Sequence, residues 1–361
     1  VGDPNQLRHI SFLSKYRQLI IGNDYGMDEK DIEKYDYRNK SILDVVSENI
    51  KKQSRVFMLD EHFRSLPQIV NFSNNEFYNG SMKIMTEKPQ HRKSVPLEVK
   101  KCNGKRNSKG INEAEAKVAI ELIKEIITSE QDLDKSMSHS IGILSPFRNQ
   151  VDYIYEKIVK NFTLNQMEKH NILAGTAYTF QGEERDIMIL SFGVDHKSHR
   201  NVFYFISKSD VLNVSITRAR THQIVCTSVD PKMIKEDLLF RRYLEYVFSV
   251  SQVDKSSSSS GEKIHDHFLK DVIAELKKLG IIHYPAYSIA GLTIDIVIEY
   301  DNRTFGIDLI GCPGIFEDSF SLDRYKMYFR AGLQIIPLEY SGWYFSKERC
   351  INKIKEIILY E

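Results

Sequence analysis

Along the first 250 residues, short apolar runs rich in β-branched and aromatic side chains alternate with stretches whose apolar positions recur at helical spacing. The successive segments are 55–59, 69–77, 97–101, 114–127, 141–144, 151–159, 187–192 and 223–227. Such alternation predicts βαβ units around a mostly parallel sheet, because strands buried on both faces read as near-continuous apolar runs. Residues 23–40 break the pattern with Asp24, Tyr25, Asp28, Glu29 and Asp31, and are expected as an exposed insertion, since charge runs are usually solvated.

The alternation stops at Ser256–Ser260 and Gly261, a run with no side chain worth burying, which reads as a flexible linker over 251–261. Beyond it the order changes. A helix over 263–278 carries Ile264, Phe268, Val272 and Leu276 at helical spacing and stops before Gly280. Strands are expected at 281–284, 292–300 and 304–310, then a helix over 322–330, a strand at 334–338 and a helix over 347–359. Two α/β domains follow, 1–250 and 262–361.

Composition adjusts this picture only slightly. With 42% hydrophobic and 27% charged residues in 361, the chain is an ordinary globular protein. No apolar run reaches the ~18 residues of a membrane span. Cys102, Cys226, Cys312 and Cys350 lie far apart, without metal-ligand spacing, which suggests a reduced, cytoplasmic protein. The net charge of +1 gives no global pull on nucleic acid. Residues 1–261 hold 38 Lys+Arg against 34 Asp+Glu, and residues 262–361 hold 12 against 15, so binding must come from local placement. The chain opens at Val1 on Gly2-Asp3-Pro4, with no signal segment, and is expected to be cut from something longer.

Four polar segments carry the candidate chemistry. They are Gly2-Asp3-Pro4-Asn5-Gln6-Leu7, Leu59-Asp60-Glu61-His62-Phe63-Arg64-Ser65, Gly175 through Asp186, and Leu212 through Arg220. Open α/β sheets bind ligands at the carboxyl ends of their strands, so the four are expected to form one site there. Taken in order, with the block Ile141 through Gln150 and the run Asn74 through Gly80, they resemble the later motifs of superfamily 1 helicases. The branch is that of the RNA helicase of nonsense-mediated decay, and the resemblance spans nearly all of residues 1–228.

That resemblance implies a RecA-like second motor domain of an ATP-dependent helicase or translocase. It implies that Gln6 senses the γ-phosphate, that Arg64 and Arg218 act as arginine fingers, and that Glu184 contacts the nucleotide sugar. Gln181, Gly182 and Asn213 would border the nucleotide, Gly182 by close backbone approach. Guanidinium suits the finger role because it stays charged and offers a planar fork to phosphate oxygens. Ser145, Arg148, Thr176 and Thr179 would hold the phosphates of a single-stranded DNA or RNA tract without reading sequence. Blander readings stand beside these: Asn213 as a helix cap, Arg220 as the partner of a surface carboxylate, and Phe180 as core. The basic run Arg92, Lys93, Lys100, Lys101, Lys105, Arg106 and Lys109 either guides a strand or is a solvated loop.

No GxxxxGK[ST] loop occurs in the chain. The resemblance therefore implies that ATP and Mg²⁺ are held mostly by an N-terminal motor domain upstream of Val1, and that this piece alone neither binds ATP tightly nor hydrolyses it. Residues 262–346 resemble small PD-(D/E)XK endonucleases of the very-short-patch-repair type, a restriction-endonuclease-like α/β fold. By that likeness Asp295 and Asp308 would share a Mg²⁺. Ile310 stands where a Lys or other polar residue usually helps, and Leu269 where relatives tend to carry Glu, so a silent domain that binds DNA or a partner is expected. The alternatives are an active Mg²⁺-dependent nuclease in that domain, or a non-enzymatic nucleic-acid- or protein-binding module throughout. A motor fused to a nuclease-like domain suggests, by analogy, DNA repair or defence against foreign DNA.

Overall fold

The computed structural model describes residues 2–50, 56–92, 95–251, 266–301, 303–311 and 321–360; most of the expected linker lies outside them. The chain divides into two compact units. One comprises Val1–Leu59, Phe72–Asn79 and Leu97–Ser249, the other Asp60–Asn71, Gly80–Pro96 and Val250–Glu361. Two stretches from within the expected first domain thus belong to the C-terminal unit.

Those stretches hold β1 (Glu61–His62) and β2 (Lys83–Ile84), a short parallel pair. The strand expected at 55–59 does not form over its described residues: Val56 to Leu59 are exposed and irregular. A strand needs a ladder for its backbone donors and acceptors, and that ladder begins only at Glu61.

In the first unit β3 (Leu97–Lys101), β4 (Ile141–Leu144), β5 (Leu173–Gly175), β6 (Arg185–Asp195) and β7 (Ala219–Ser228) form one sheet in the order β3-β7-β6-β4-β5. Every pairing is parallel, as the alternation predicts. Helices Glu113–Ser129 and Arg148–Asn161 cover it, burying Ile123, Ile127, Ile154 and Ile158 against Ile141, Ile143 and Ile189. Fully burying each such side chain contributes about 1.5–3 kcal/mol. The first of these helices starts where Asn112 accepts from the Glu115 N–H, with Glu113 and Glu115 facing the positive end of its dipole. The acidic stretch at 23–40 is largely exposed, as expected, although Ile32 within helix Glu29–Lys34 is buried.

The second unit carries β8 (Ile282–Ile289), β9 (Leu292–Tyr300), β10 (Arg303–Ile310) and β11 (Gln334–Glu339). Strands β8, β9 and β10 form an antiparallel meander, and β11 joins β10 in parallel. Helices His267–Lys278 and Lys347–Tyr360 pack Phe268, Val272, Ile354 and Ile358 on one core with Trp343. A second core joins Tyr328 of helix Leu322–Arg330 to Tyr287, Ile294 and Val297, and Met85 is buried within it. No helix among the described residues is long and apolar enough to cross a membrane. Cys102, Cys226 and Cys350 are free thiols; Cys312 lies outside the described residues.

Candidate nucleotide and nucleic-acid sites

The first unit draws two of the four motif segments, Gly2–Leu7 and Leu212–Arg220, together with the end of helix Pro67–Tyr78 through one polar network. Asp3 accepts from the Asn5 N–H at 2.9 Å, from the Gln6 amide at 2.9 Å and from the Tyr78 hydroxyl at 2.6 Å. Asn5 in turn donates to the Phe77 carbonyl at 2.9 Å. Asn213 closes the circuit by donating to the Asn5 carbonyl at 2.9 Å and the Tyr78 oxygen at 3.1 Å, and by accepting from the Ser73 hydroxyl. Beneath it Leu7, Ala177, Val211 and Val214 form a small apolar cluster. Burial, then the bond to Asp3, pushes the Tyr78 phenol up, while Asn213 and nearby Arg218 oppose the shift.

Asn213 is therefore no cap. It lies inside helix Ser209–Ile216, whose N-cap is Lys208, and its amide ties the Gly-Asp-Pro turn to the end of helix Pro67–Tyr78. Asp3, Ser73 and Tyr78 had no chemical signal of their own in the sequence, although Tyr78 stands in the Asn74–Gly80 block.

Arg218 is buried at the junction of that helix with β7, and its Nε–H donates to the Val214 carbonyl at 2.9 Å. Glu184 stands just before β6 and is paired with Arg220, which also reaches Asp186 at 3.6 Å. Arg220 thus has a carboxylate partner, and that partner is the candidate sugar contact itself. Gln181 is exposed and donates to the Leu7 carbonyl at 3.4 Å, while Gly182 adopts φ 87°, a conformation open to glycine. Gln6 and Gln181 both line a cavity of about 770 Å³, with Arg8, Lys40 and Asp44 on its wall.

The expectation that all four segments meet at the carboxyl ends of the strands is not met. Arg185 and Ala219 pair at the starts of β6 and β7, so Glu184 and Arg218 flank the amino ends. Ser145 and Thr176 follow β4 and β5 at the carboxyl ends, where the Ser145 N–H donates to the Gly175 carbonyl at 3.1 Å. The motifs precede their strands, and in a parallel sheet that places them on the opposite edge. Arg64 belongs to the other unit, on the turn after β1.

At the carboxyl edge Thr179 is exposed and accepts from the Thr176 N–H at 3.3 Å. Arg148 is exposed and ion-paired with Asp152 at 3.0 Å. Ser145 is buried, its hydroxyl accepting from the Phe147 N–H at 3.3 Å, which takes it out of the solvent-facing set. Phe180 is core, and Tyr178 is exposed.

Sequence reasoning missed what braces this edge. Glu115, fully buried, accepts from the Gly193 N–H at 2.7 Å, the Ser191 hydroxyl at 3.0 Å and the Ser228 N–H at 3.1 Å. Burial raises its carboxyl to about 7, against the pull of those donors. Arg106, from the basic run, donates to the Gly193 carbonyl at 2.6 Å and stacks on Phe147 at 4.1 Å, so it is structural and not a strand guide. Lys93 and the Arg92 side chain lie outside the described residues.

In the second unit Asp295 on β9 accepts from the Leu309 N–H at 2.8 Å, and Asp308 on β10 accepts from the Tyr325 hydroxyl. Burial, with Asp308 beside it, raises the Asp295 carboxyl to about 6. Among the described residues no group of three His, Cys, Asp or Glu side chains is placed to hold a metal ion. The donors of the first unit, amides and guanidinium, suit phosphate oxygens; among the described residues the acidic pair of the second is joined by no further His, Cys, Asp or Glu side chain to form a metal-binding group.

The family described as AAA domain matches residues 39–230. Helicase SEN1 of Saccharomyces cerevisiae is 28% identical over 48% of this chain and 8% of its own length. Putative helicase mov-10-B.2 of Danio rerio is 25% identical over 73% of this chain and 27% of its own. Regulator of nonsense transcripts 1 homolog of Drosophila melanogaster is 24% identical over 60% and 19%. The chain therefore spans about a quarter or less of these relatives.

Proposed function

Because the chain belongs to the AAA domain family over residues 39–230, with superfamily 1 helicases among the proteins it matches, we propose that it is the second motor domain of an ATP-driven helicase or translocase. The phosphate loop, the Mg²⁺-binding acidic pair and most of the ATP contacts come from a partnering motor domain. The observation that supports this most is the Asp3–Gln6–Tyr78–Asn213 network with Arg218 beside it. It links the Gln6 amide, the proposed phosphate sensor, to helix Ser209–Ile216, which ends two residues before Arg218, the proposed finger.

In this reading Arg64 and Arg218 hold the charge that builds on the transferring phosphoryl group, and Glu184, oriented by Arg220, borders the sugar. Gln181 and Gly182 lie along the same loop. Thr176, Thr179 and Arg148 hold the phosphates of a single-stranded tract at the other edge of the sheet. When bound, ATP with Mg²⁺ supplies the phosphoryl group and its energy; this chain's residues orient and neutralise.

Pure chain is expected to show no multi-turnover ATPase. In the assembled motor, Arg64→Ala or Arg218→Ala is expected to lower kcat by about two to four decades, overlapping the roughly three to five decades that such arginines contribute. An unchanged rate in both variants refutes the finger role. The C-terminal unit we read as a nuclease-like fold without nuclease chemistry. Both its carboxylates are engaged internally, and Ile310 offers no polar help.

A further inference from the structure

The turn that carries Arg64 is fastened at both ends by contacts within the C-terminal unit. On the upstream side, Glu61 and His62 sit in the β1–β2 ladder, where the Lys83 N–H donates to the Asp60 carbonyl at 2.7 Å and the Met85 N–H to the His62 carbonyl at 2.9 Å. On the downstream side Ser65 is buried. Its N–H donates to the His62 ring at 2.9 Å, and its carbonyl accepts from the Thr86 hydroxyl at 2.6 Å. Phe63 and Arg64 are the two residues spanned by that brace.

The brace is itself anchored. Met85, one residue before Thr86, is 2% exposed and lies in the core formed by Tyr287, Ile294, Val297 and Tyr328. Glu61 receives a two-pronged ion pair from Arg330, Nε at 2.9 Å and Nη2 at 2.5 Å, from the last turn of helix Leu322–Arg330. An apolar plug and a charged clamp therefore hold the two strands of the Arg64 turn to the nuclease-like fold.

We infer that the C-terminal unit acts as the positioning element for Arg64, with Met85, Glu61 and Arg330 as positioning residues, so that the nuclease-like domain has been kept as a brace for the motor. The inference rests on the proposed role of Arg64 in ATP hydrolysis. A finger arginine helps only where its guanidinium meets developing charge, and a displacement of about 1 Å in such a site costs about a hundredfold in rate. A turn fixed at both ends restricts that displacement; a free loop would not.

Amide hydrogen exchange over residues 61–66 of this chain tests the brace directly. Arg330→Ala should speed exchange there about threefold and Met85→Ala about thirtyfold or more, the clamp being exposed and the plug buried. The swapped pair Glu61→Arg with Arg330→Glu should restore protection. Unchanged exchange in both single variants overturns the brace. In the assembled motor, Arg330→Ala should lower kcat severalfold with KM for ATP unchanged, and the swap should recover it. If Arg64→Ala abolishes turnover while Arg330→Ala and Met85→Ala leave kcat intact, the finger stands and positioning falls. If Arg64→Ala has no effect, the finger reading falls, and the exchange result alone decides whether the turn is docked.

Discussion

Glu115 shows what a single buried side chain can contribute. Its carboxylate gathers donors from the ends of β6 and β7, and with Gln150 and Asn112 it locks the carboxyl edge of the sheet on which Thr176 and Arg148 stand. Burial holds its carboxyl at about 7, above its ordinary value of 4.5. The folded state therefore keeps a proton that the unfolded chain releases. That contribution is fully present below pH 4.5 and is lost as pH climbs through 7. Urea midpoints measured across this window should fall with rising pH, and Glu115→Gln should flatten the slope; an identical slope in the variant would remove Glu115 from the account. Nothing in the sequence marked this residue, because a glutamate in the first turn of a helix is usually a solvated partner of the dipole. Arg64 and Arg218, in contrast, stand in motifs that propose a role for each.

At the element scale, the loop from Gly175 to Glu184 joins the two edges of the first sheet. It leaves the carboxyl end of β5 and enters the amino end of β6, carrying Thr176 and Thr179 at one edge and Glu184 at the other. Gly175 sets its start: a Cβ there would lie 2.5 Å from the Thr179 Cβ and 2.6 Å from its Cγ2, and a β-branched side chain has little freedom to retreat. Gly175→Ala should cost about 1–3 kcal/mol by overpacking and weaken single-strand binding severalfold, read by denaturation and by fluorescence anisotropy. Unaltered affinity and stability would mean the loop tolerates the shift. Helix Leu322–Arg330 was legible to the residue, since its period, ends and neighbours agree. β5 was not, because three residues carry no period, and the run at 56–59 misled because apolar content without a pairing partner does not make a strand.

For the whole molecule, the question is what the C-terminal unit adds to the proposed motor domain. The mixed sheet β8–β11 places Asp295 and Asp308 on neighbouring strands, with Tyr325 and the Leu309 N–H satisfying them. A Mg²⁺ would have to displace these bonds and find further oxygen ligands. Single- and double-stranded DNA incubated with Mg²⁺ or Mn²⁺ is therefore expected to remain intact. Cutting that disappears in Asp295→Ala would reverse this reading and restore the nuclease.

The sequence by itself determined the parallel α/β alternation of the first sheet and the strand and helix order of the C-terminal unit, because periodicity is a property of neighbouring side chains. The tertiary structure alone decided that Glu184 and Arg218 flank the amino ends of their strands, that Asn213 bridges and does not cap, and that the Arg64 turn belongs with the C-terminal unit. These outcomes depend on which distant donors find acceptors and which apolar side chains share a core. Met85 buried beside Tyr328, 243 residues later in the chain, is such a pairing, and local spacing carries no record of it.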